Sequence, residues 1–249
     1  MVKMNKIFIF DVDGTLTPSR LPMTEDFTMF FSLWSMDNPF YLVTGSDMDK
    51  TKEQVPWYIF DRAQAVFTCC GNEMWIGEEQ KYRKEFKPSE KLIKYLELEL
   101  KYSPYKEQCG NHIEDRETML NFSIVGRDCT QEQRDEYFKY DNEKGERKRI
   151  SEAIKRQFPD LDAVIGGQIS IDIYPKGRDK SQVLEHIKSN INLDSHTKTL
   201  ANNYEYIFIG DGIENHGNDY ALAELMDSVK NCKWYQTEGY QQTQKILEK

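Results

Sequence analysis

The sequence has no apolar stretch that approaches the roughly 20 residues needed for a membrane-spanning helix. The apolar run IFIF near its start is too short for the core of a signal peptide before it meets Asp11. Positive charge is in deficit, because 33 lysine and arginine residues face 42 aspartate and glutamate residues, for a formal net charge of -9 at pH 7. Since nucleic acids and anionic membranes attract basic surfaces, we expect a cytoplasmic protein that binds neither nucleic acid nor a membrane.

Cysteine is also scarce, with five residues in 249. The number is odd and no CxxC spacing occurs, so the pattern supports neither a disulfide framework nor a zinc site. The histidines are equally scattered, and no two of them are spaced to share one face of a helix. We therefore expect reduced, buried thiols. The cysteines are Cys69, Cys70, Cys109, Cys129 and Cys232.

The chain does contain enough apolar residues for a folded protein. Of its 249 residues, 39% are hydrophobic and 12% are aromatic, so it can form one large domain or two modest ones. In the first part of the chain, short β-rich runs such as IFIF, FYLVTG and AVFTCC alternate with helical patterns such as TEDFTMFFSLWS. This alternation predicts a parallel sheet with crossover helices.

The pattern changes near Gly71 and returns after Pro175. Between these points lie a long amphipathic helix, SEKLIKYLELELKY, further helical stretches and strand-like runs such as QISIDIY, without strict alternation. Such a mixture favours an antiparallel sheet with helices on one face. The sequence thus predicts an α/β protein in which residues 1–76 and 178–249 form a parallel-sheet domain and residues 77–177 form an inserted α+β domain.

Two carboxylates follow the first predicted strand, in the sequence IFIFDVDGT. Asp11 is placed where a buried strand opens onto solvent, and a carboxylate held beside a hard cation can accept a phosphoryl group. Asp13 lies two positions on, where its side chain reaches the same face and can act as a general acid and base. Gly14 permits the turn away from the strand. Taken alone, the motif fits an acidic turn about equally well.

Polar residues also follow two other predicted strands. Thr44, Gly45 and Ser46 come after FYLV, and Asp211 comes after YIFIG. The carboxyl ends of parallel strands meet at one edge of a sheet, so these residues are expected near Asp11. A hydroxyl there can bind a phosphate oxygen, although Ser46 fits a helix N-cap equally well. Converging carboxylates require a cation, and Mg²⁺ prefers oxygen ligands.

Three residues in the returning segment are further candidates. Lys180, in GRDKSQVLEHI, could neutralise charge on a transferring phosphoryl group. Asn218 and Asp219 mark a turn and a helix start, where Asp219 could orient groups around the metal. An ordinary N-cap is the alternative reading of Asp219.

The predicted inserted domain contains a cluster of arginines, Arg116, Arg127 and Arg134. Guanidinium groups bind phosphate oxygens in a bidentate manner that lysine cannot match. In an acidic protein, such a cluster is a candidate clamp for an anion. Composition alone favours the alternative, which is a set of solvated or salt-bridged surface arginines.

Four stretches together resemble the eukaryotic-type phosphomannomutases of the haloacid dehalogenase superfamily: DVDGTLTPSR, NFSIVGRDCTQEQRDEYF, IGGQISIDIYPKGRDK and IGDGIENHGND. The resemblance extends from residue 6 to about residue 220. It implies a Rossmann-like parallel-sheet core of the haloacid dehalogenase type with an inserted α+β cap. It also implies Mg²⁺, an aspartyl-phosphate intermediate, a hexose 1,6-bisphosphate activator, interconversion of mannose 6-phosphate and mannose 1-phosphate, and a homodimer formed through the cap.

The resemblance also implies roles for residues at matching positions. Asp11 would be the nucleophile, Asp13 the general acid and base, and Asp211 a further magnesium ligand beside these two. Arg20 matches an arginine of the core that lies nine places beyond the nucleophile. The cap residues that match those contacting the sugar or its distal phosphate are Arg116, Arg127, Arg134, Ser170 and Asp172.

The chain departs from the family pattern in three places. After Asp219 it lacks the residues that form an additional cation loop in similar mutases, so a second cation site is not expected. His216 stands where glycine is usual, and the sequence GNE at 71–73 replaces the usual ENG hinge. A sugar-phosphate phosphatase on the same core is the main alternative function, and a non-catalytic anion-binding domain is a third.

Overall fold

The computed structural model describes residues 5–191, 204–214 and 217–249. His216 therefore lies outside the described residues, and the departure noted at that position stays a sequence observation. The chain divides into two compact units. The first unit consists of Met1–Arg83 and Arg178–Lys249, and the second unit is Lys84–Gly177.

The strands are numbered in chain order. They are β1 (Asn5–Phe10), β2 (Phe40–Val43), β3 (Val66–Thr68), β4 (Glu73–Ile76), β5 (Glu79–Arg83), β6 (Ile113–Asp115), β7 (Leu120–Ser123), β8 (Leu161–Gly166), β9 (Ser170–Pro175), β10 (Tyr204–Gly210) and β11 (Cys232–Gln236). The helices are α1 (Glu25–Trp34), α2 (Met48–Gln54), α3 (Trp57–Phe60), α4 (Glu90–Tyr102), α5 (Gln131–Lys144), α6 (Glu146–Gln157), α7 (Gln182–Ile191), α8 (Tyr220–Ser228) and α9 (Tyr240–Leu247). A short 3-10 turn spans Cys69–Gly71.

The first unit is built on a seven-stranded sheet in the order β11-β10-β1-β2-β3-β4-β5. The strands from β11 to β3 are parallel, and β4 and β5 are antiparallel to their neighbours. This architecture confirms the predicted α/β class with a parallel-sheet core. In the register, Phe10 pairs with Ile209 and with Leu42, so the carboxyl end of β1 lies between the ends of β10 and β2.

The apolar residues of β1 are buried on both faces of the sheet, as a central parallel strand requires. Phe8 and Phe10 pack on the side of α1, in a cluster that includes Phe31 and Phe40. On the opposite face, Ile7 and Ile9 belong to a cluster formed with α7, α8 and β10. Successive side chains of a strand point to opposite faces, so one apolar run supplies both layers of the core.

The sequence pattern places the end of the first segment at residue 76, but the first unit continues to Arg83. The reason is the hairpin of β4 and β5, which extends the edge of the sheet through pairs such as Thr68 with Glu73 and Glu73 with Arg83. Strand β5 reads EQKYR and alternates between exposed and half-buried positions. An edge strand of this composition carries almost no apolar signal in the sequence.

The second unit contains a four-stranded antiparallel sheet in the order β6-β7-β9-β8. Its apolar core joins one face of β7 and β9 to α4, α5 and α6. Alternate residues of the same two strands are polar, and the register pairs Asn121 with Asp172 and Ser123 with Ser170. These four residues are nevertheless buried. The sheet therefore has one apolar face and one face that gathers polar side chains.

The five cysteines are all free thiols. Cys69, Cys70 and Cys129 are buried as expected, whereas Cys109 and Cys232 are only partly buried. In the part of the chain that the structure describes, none of the helices combines the length and the apolar character that crossing a bilayer would demand.

We predict that Phe31→Ala strongly destabilises the first unit. Phe31 is fully buried and its ring centroid lies 5.3 Å from that of Phe10 and 5.2 Å from that of Phe40. Truncation of such a ring costs about 3–5 kcal/mol of unfolding free energy. Leu33→Ala is the control from the same helix, since Leu33 is 66% exposed and its loss should cost under about 0.5 kcal/mol. Urea unfolding measures both, and equal shifts would contradict the packing described.

Candidate active site

Asp11 directly follows β1 and is nearly fully buried. Its main-chain N–H donates to the carbonyl of Ile209, at 3.0 Å, which fastens the start of the loop to β10. The next turn closes around the carbonyl of Val12, and Gly14 adopts φ +85° within it. A Cβ atom on Gly14 would lie 2.3 Å from Oδ2 of Asp211. Glycine is therefore required here both by the left-handed backbone and by the close approach of a second carboxylate.

Lys180 lies between two carboxylates in the interior of the first unit. Its side chain is fully buried, and Nζ donates to Oδ1 of Asp11 at 2.5 Å and to Oδ1 of Asp219 at 2.7 Å. Burial alone would lower the pKa of Lys180, but the two carboxylates outweigh burial and raise it. The lysine is thus charged, and it compensates part of the negative charge that the fold buries here.

The acidic groups of this site are less easily ionised than ordinary carboxyl groups. Burial raises the pKa of Asp11 to about 7; Lys180 opposes this shift and Asp219 adds to it. Desolvation by the surrounding chain and the like charges of Asp11 and Asp219 raise the pKa of Asp211 above its usual range, although Asp211 is the exposed member of the three. One lysine does not balance these groups, so the site favours a further cation.

Oxygen atoms of Asp11, Asp211 and Asp219 lie within 4.8 Å of one another. They form the only such group of acidic, histidine or cysteine side chains found among the described residues. An all-oxygen donor set suits Mg²⁺, which prefers carboxylates and retains water ligands, so the residues fit the predicted cation.

Asp13 is placed differently from the prediction that groups it with the metal ligands. Its Oδ1 accepts a hydrogen bond from the main-chain N–H of Arg20 and another, of 2.9 Å, from Nε2 of Gln54. Its carboxylate is not among the oxygen atoms grouped with those of Asp11, Asp211 and Asp219. The role of Asp13 as a magnesium ligand stays a prediction. The hydrogen bonds instead hold its carboxyl group in one orientation beside the site.

The sequence offered Ser46 and Asp219 as helix N-caps, and the structure shows the N-cap contacts of both helices. The N-cap of α2 is Asp47, whose side chain accepts from the N–H of Lys50 at 2.8 Å, so Ser46 is not the capping residue. Asp219 does occupy the N-cap position of α8, but its side chain forms no capping bond there. Its Oδ2 accepts from the N–H of Gly212 at 2.9 Å, while Oδ1 accepts from Lys180.

The loop after β2 lies beside the turn that follows β3. The hydroxyl of Thr44 accepts from the N–H of Ser46 at 3.1 Å. The carbonyls of Thr44 and Ser46 accept from the N–H groups of Cys70 and Cys69, each at 2.9 Å. Both loops are thereby fixed at the same edge of the sheet, with Gly45 between the two polar residues. Phosphate binding by this loop, and the role of Asn218 in the turn before Asp219, stay predictions.

In the second unit, the three predicted arginines are neighbours. Arg116 forms an ion pair of 2.6 Å with Glu114, and Arg127 lies 3.5 Å from the same carboxylate. Burial lowers the pKa of Arg127; Glu114 opposes this shift, while Arg116 and Arg134 add to it. The sequence alternative of salt-bridged arginines thus holds for Arg116. Asp172 is a second acidic group near Arg127, and two carboxylates do not balance three guanidinium groups.

Arg134 is the buried member of this cluster that has an unused hydrogen-bond donor. The residue is 6% exposed, and its Nη2 reaches the carbonyl of Arg127 at 3.4 Å. Its Nη1 is buried without any hydrogen-bond partner. A buried guanidinium group with an unused donor is costly, because the lost hydration is not replaced. An anion bound at this cluster would supply the missing acceptor.

Ser170 and Asp172 lie on β9 close to the same cluster. Nη1 of Arg127 donates to Oγ of Ser170 at 3.3 Å, and Nδ2 of Asn121 donates to Oδ1 of Asp172 at 2.7 Å. A Cβ on Gly166 would lie 2.3 Å from Oδ2 of Asp172, so a glycine is needed on the neighbouring strand. The structure thus brings together all five predicted residues of the second unit.

Comparisons with known proteins agree with this geometry. A family profile described as "Eukaryotic phosphomannomutase" matches residues 36–249. The phosphomannomutase of Saccharomyces cerevisiae is 33% identical over 237 residues, which cover 88% of this chain and 85% of that protein. The phosphomannomutase of Encephalitozoon cuniculi is 35% identical over 238 residues, which cover 89% of this chain and 85% of that protein. The chain belongs to the eukaryotic phosphomannomutase family.

The fold of this chain is similar to those of solved structures that include a haloacid dehalogenase-like hydrolase. The C-terminal domain of Candida albicans trehalose-6-phosphate phosphatase aligns with a TM-score of 0.65 at 15% identity, covering 98% of this chain and 91% of that chain. A haloacid dehalogenase-like hydrolase from Bacteroides thetaiotaomicron aligns with a TM-score of 0.58 at 13% identity, covering 98% of both chains. At these identities the likeness concerns the fold alone.

Sequence reasoning missed residues that support this phosphomannomutase-family site without a recognisable motif. Gln54 is the buried last residue of α2 and contacts Asp13. Asp141 and Arg147 form a buried ion pair of 2.6 Å, and Arg147 also donates to the carbonyl of Gly167, at 2.9 Å, in the turn before Ser170. Each residue is unremarkable within its helix, so only the tertiary contacts reveal it.

We predict that Mg²⁺ raises the melting temperature of the protein and that Asp211→Asn abolishes this effect. A cation that binds only the folded state stabilises it in proportion to the logarithm of its concentration, and the variant removes one of the three clustered charges. Asp37→Asn is the control, because Asp37 is an exposed acid outside the group. Thermal unfolding with and without Mg²⁺ measures the shift. A full shift in Asp211→Asn would show that the cation binds elsewhere.

Proposed function

We propose that the protein interconverts mannose 6-phosphate and mannose 1-phosphate, with an aspartyl-phosphate on Asp11, Mg²⁺ in the site and a hexose 1,6-bisphosphate as activator. The observation that supports the proposal is that this member of the family has two charged sites whose chemistry suits a phosphate group. One is the carboxylate and lysine site of the first unit. The other is the arginine cluster of the second unit, with its unused donor on Arg134.

Asp11 serves as the nucleophile in this proposal. One of its oxygens attacks the phosphorus atom of the bisphosphate, and the bond between that phosphorus and the sugar oxygen breaks. Oδ1 of Asp11 is held by Lys180 and Oδ2 accepts from the hydroxyl of Thr15 at 3.2 Å, so the carboxylate has a defined orientation. Orientation of this kind lowers the barrier by reducing the freedom that must be lost at the transition state.

Mg²⁺ would be held by Asp11 and Asp211, with Asp219 as the third carboxylate of the group. When bound, it supplies positive charge that offsets repulsion between the carboxylates and the phosphoryl oxygens. Lys180 contributes a second, permanent positive charge at Asp11. These two charges allow a carboxylate with a raised pKa to act in its ionised form beside an anionic substrate.

Asp13 transfers the protons in the proposed mechanism. It protonates the sugar oxygen that leaves as Asp11 is phosphorylated, and it later removes a proton from the sugar hydroxyl that attacks the phosphorylated Asp11. Both transfers involve the same carboxyl group in opposite directions, as expected for a mutase that returns to its starting state.

The arginines of the second unit hold the phosphate that is not reacting. A hexose bisphosphate must present either end to a single nucleophile, so one phosphate has to be bound while the other is transferred. Arg127 and Arg134 are suited to this task because guanidinium groups bind phosphate in either orientation of the sugar. Ser170 and Asp172 would contact the sugar or its phosphate, and Arg20 would contact the phosphate of the first unit.

A homodimer formed through the second unit is part of the proposal. The unit exposes large apolar side chains, including Leu98, Tyr102 and Phe138, and a dimer would cover apolar surface of this kind. Light scattering that gives the mass of a single chain would contradict it.

The function is tested by incubating the protein with mannose 1-phosphate, Mg²⁺ and glucose 1,6-bisphosphate. We expect mannose 6-phosphate to form, and Asp11→Asn should abolish its formation while the variant remains folded. Release of inorganic phosphate without mannose 6-phosphate would instead identify a sugar-phosphate phosphatase, in which water attacks the phosphorylated Asp11. Unchanged turnover in Asp11→Asn would exclude covalent catalysis by this residue.

We predict that Arg134→Ala lowers mutase activity far more than hydrolysis of a small phosphoester. A small ester has no second phosphate for the arginine to bind, whereas loss of a charge-assisted hydrogen bond to the distal phosphate costs about 1.5–3 kcal/mol, or about 10- to 100-fold in rate. Arg149→Ala is the control from the same unit, because Arg149 is exposed and pairs with Glu99. Equal losses on both substrates in Arg134→Ala would count against the clamp.

A further inference from the structure

Gln54 is a buried polar residue whose side chain points at Asp13. It is 1% exposed at the end of α2. Its Nε2 donates to Oδ1 of Asp13 at 2.9 Å and to the hydroxyl oxygen of Thr17 at 3.2 Å. A buried amide is expected to use its hydrogen-bonding groups, and here both donors are directed at the loop that carries the two catalytic carboxylates.

The neighbouring groups determine which end of the Gln54 amide is the nitrogen and which is the oxygen. The hydroxyl of Thr17 donates its own proton to the carbonyl of Val12, at 3.2 Å, so towards Gln54 it can only accept. The Asp13 carboxylate is also an acceptor. A reversed amide would place its oxygen against two acceptors, which is unfavourable. The nitrogen therefore faces Asp13, and Oε1 is the end that is buried without a partner.

The two oxygens of Asp13 are consequently not equivalent. Oδ1 accepts from the amide of Gln54 and also from the main-chain N–H of Arg20. Arg20 adopts φ +62°, an unusual conformation for a residue other than glycine, within the loop that brings this N–H to Asp13. Both groups can only donate. Among the described residues, no hydrogen-bond donor is found at Oδ2.

We propose that Gln54 is a positioning residue that reserves Oδ2 of Asp13 for proton transfer. The inference rests on the proposed role of Asp13 as the general acid and base. As Asp11 forms its bond to phosphorus, the proton on Oδ2 moves to the leaving oxygen, whose bond to phosphorus breaks. In the reverse direction, the attacking hydroxyl gives its proton to Oδ2. Oδ1 stays bound to Gln54 and Arg20 throughout and carries no proton.

The test compares phenyl phosphate with p-nitrophenyl phosphate, whose para nitro group makes the leaving oxygen far less basic. The nitrophenolate leaves readily without a proton, whereas phenolate needs the general acid. The measurement is the release of the phenol in the first turnover, by rapid quench, because this step precedes hydrolysis of the phosphorylated enzyme. A residue that only supports the fold would affect both substrates equally.

We predict that Gln54→Met, which keeps the length of the side chain but removes the amide, slows the first turnover of phenyl phosphate about 10-fold or more. It should change that of p-nitrophenyl phosphate less than about 3-fold. Asp13→Asn should show the same selectivity to a greater degree. Thr17→Val, which removes the other acceptor of the amide and the hydrogen bond to the carbonyl of Val12 but leaves the contact of Gln54 with Asp13, should leave the ratio of the two rates unchanged.

The outcomes distinguish the positioning role of Gln54 from the proposed role of Asp13 as the general acid and base. Equal slowing of both substrates in Gln54→Met overturns the positioning role. No selectivity in Gln54→Met together with strong selectivity in Asp13→Asn overturns this inference and leaves the proposed role of Asp13 intact. No selectivity in Asp13→Asn overturns the proposed role itself. Gln54→Asn, whose amide is one methylene too short to reach Asp13, provides the same comparison if the methionine variant does not fold.

Discussion

The interaction on which the rest of the site depends is the buried contact of Lys180 with Asp11 and Asp219. Removing a carboxylate from water is costly unless a positive charge accompanies it, and Lys180 supplies that charge from a segment that re-enters the first unit at Arg178. The same contact orients Asp11. One buried lysine between two carboxylates therefore both permits the burial of Asp11 and sets the direction of its side chain. It leaves an excess of negative charge that a divalent cation can offset.

The second unit presents the complementary problem, an excess of positive charge. Arg116 and Arg127 contact Glu114, Asp172 is a second acidic group near Arg127, and a buried donor on Arg134 has no partner. The two units thus have opposite imbalances, a carboxylate group that lacks cations and a guanidinium group that lacks anions. In the proposed function, a hexose bisphosphate and a magnesium ion would offset both imbalances, which would give a physical reason for the two sites to occur in one chain.

The sequence was informative where a feature depends on neighbouring residues. The apolar run before Asp11 and the one before Asp211 predict two strand ends, and the parallel sheet then places them together. It was uninformative where a feature depends on distant contacts. The polar composition of β5 concealed an edge strand, and the sequence did not reveal that Asp47 caps α2 in place of Ser46. The contact between Gln54 and Asp13 joins residues 41 positions apart, and no local pattern marks it.

The central claim is that a phosphoryl group resides transiently on Asp11. The most direct measurement is rapid acid quenching after mixing the protein and Mg²⁺ with a hexose 1,6-bisphosphate carrying radioactive phosphorus, followed by peptide mapping. The account predicts an acyl-phosphate label on the peptide that contains Asp11, formed as fast as turnover. Turnover without a labelled peptide, or a label on any other residue, would contradict it.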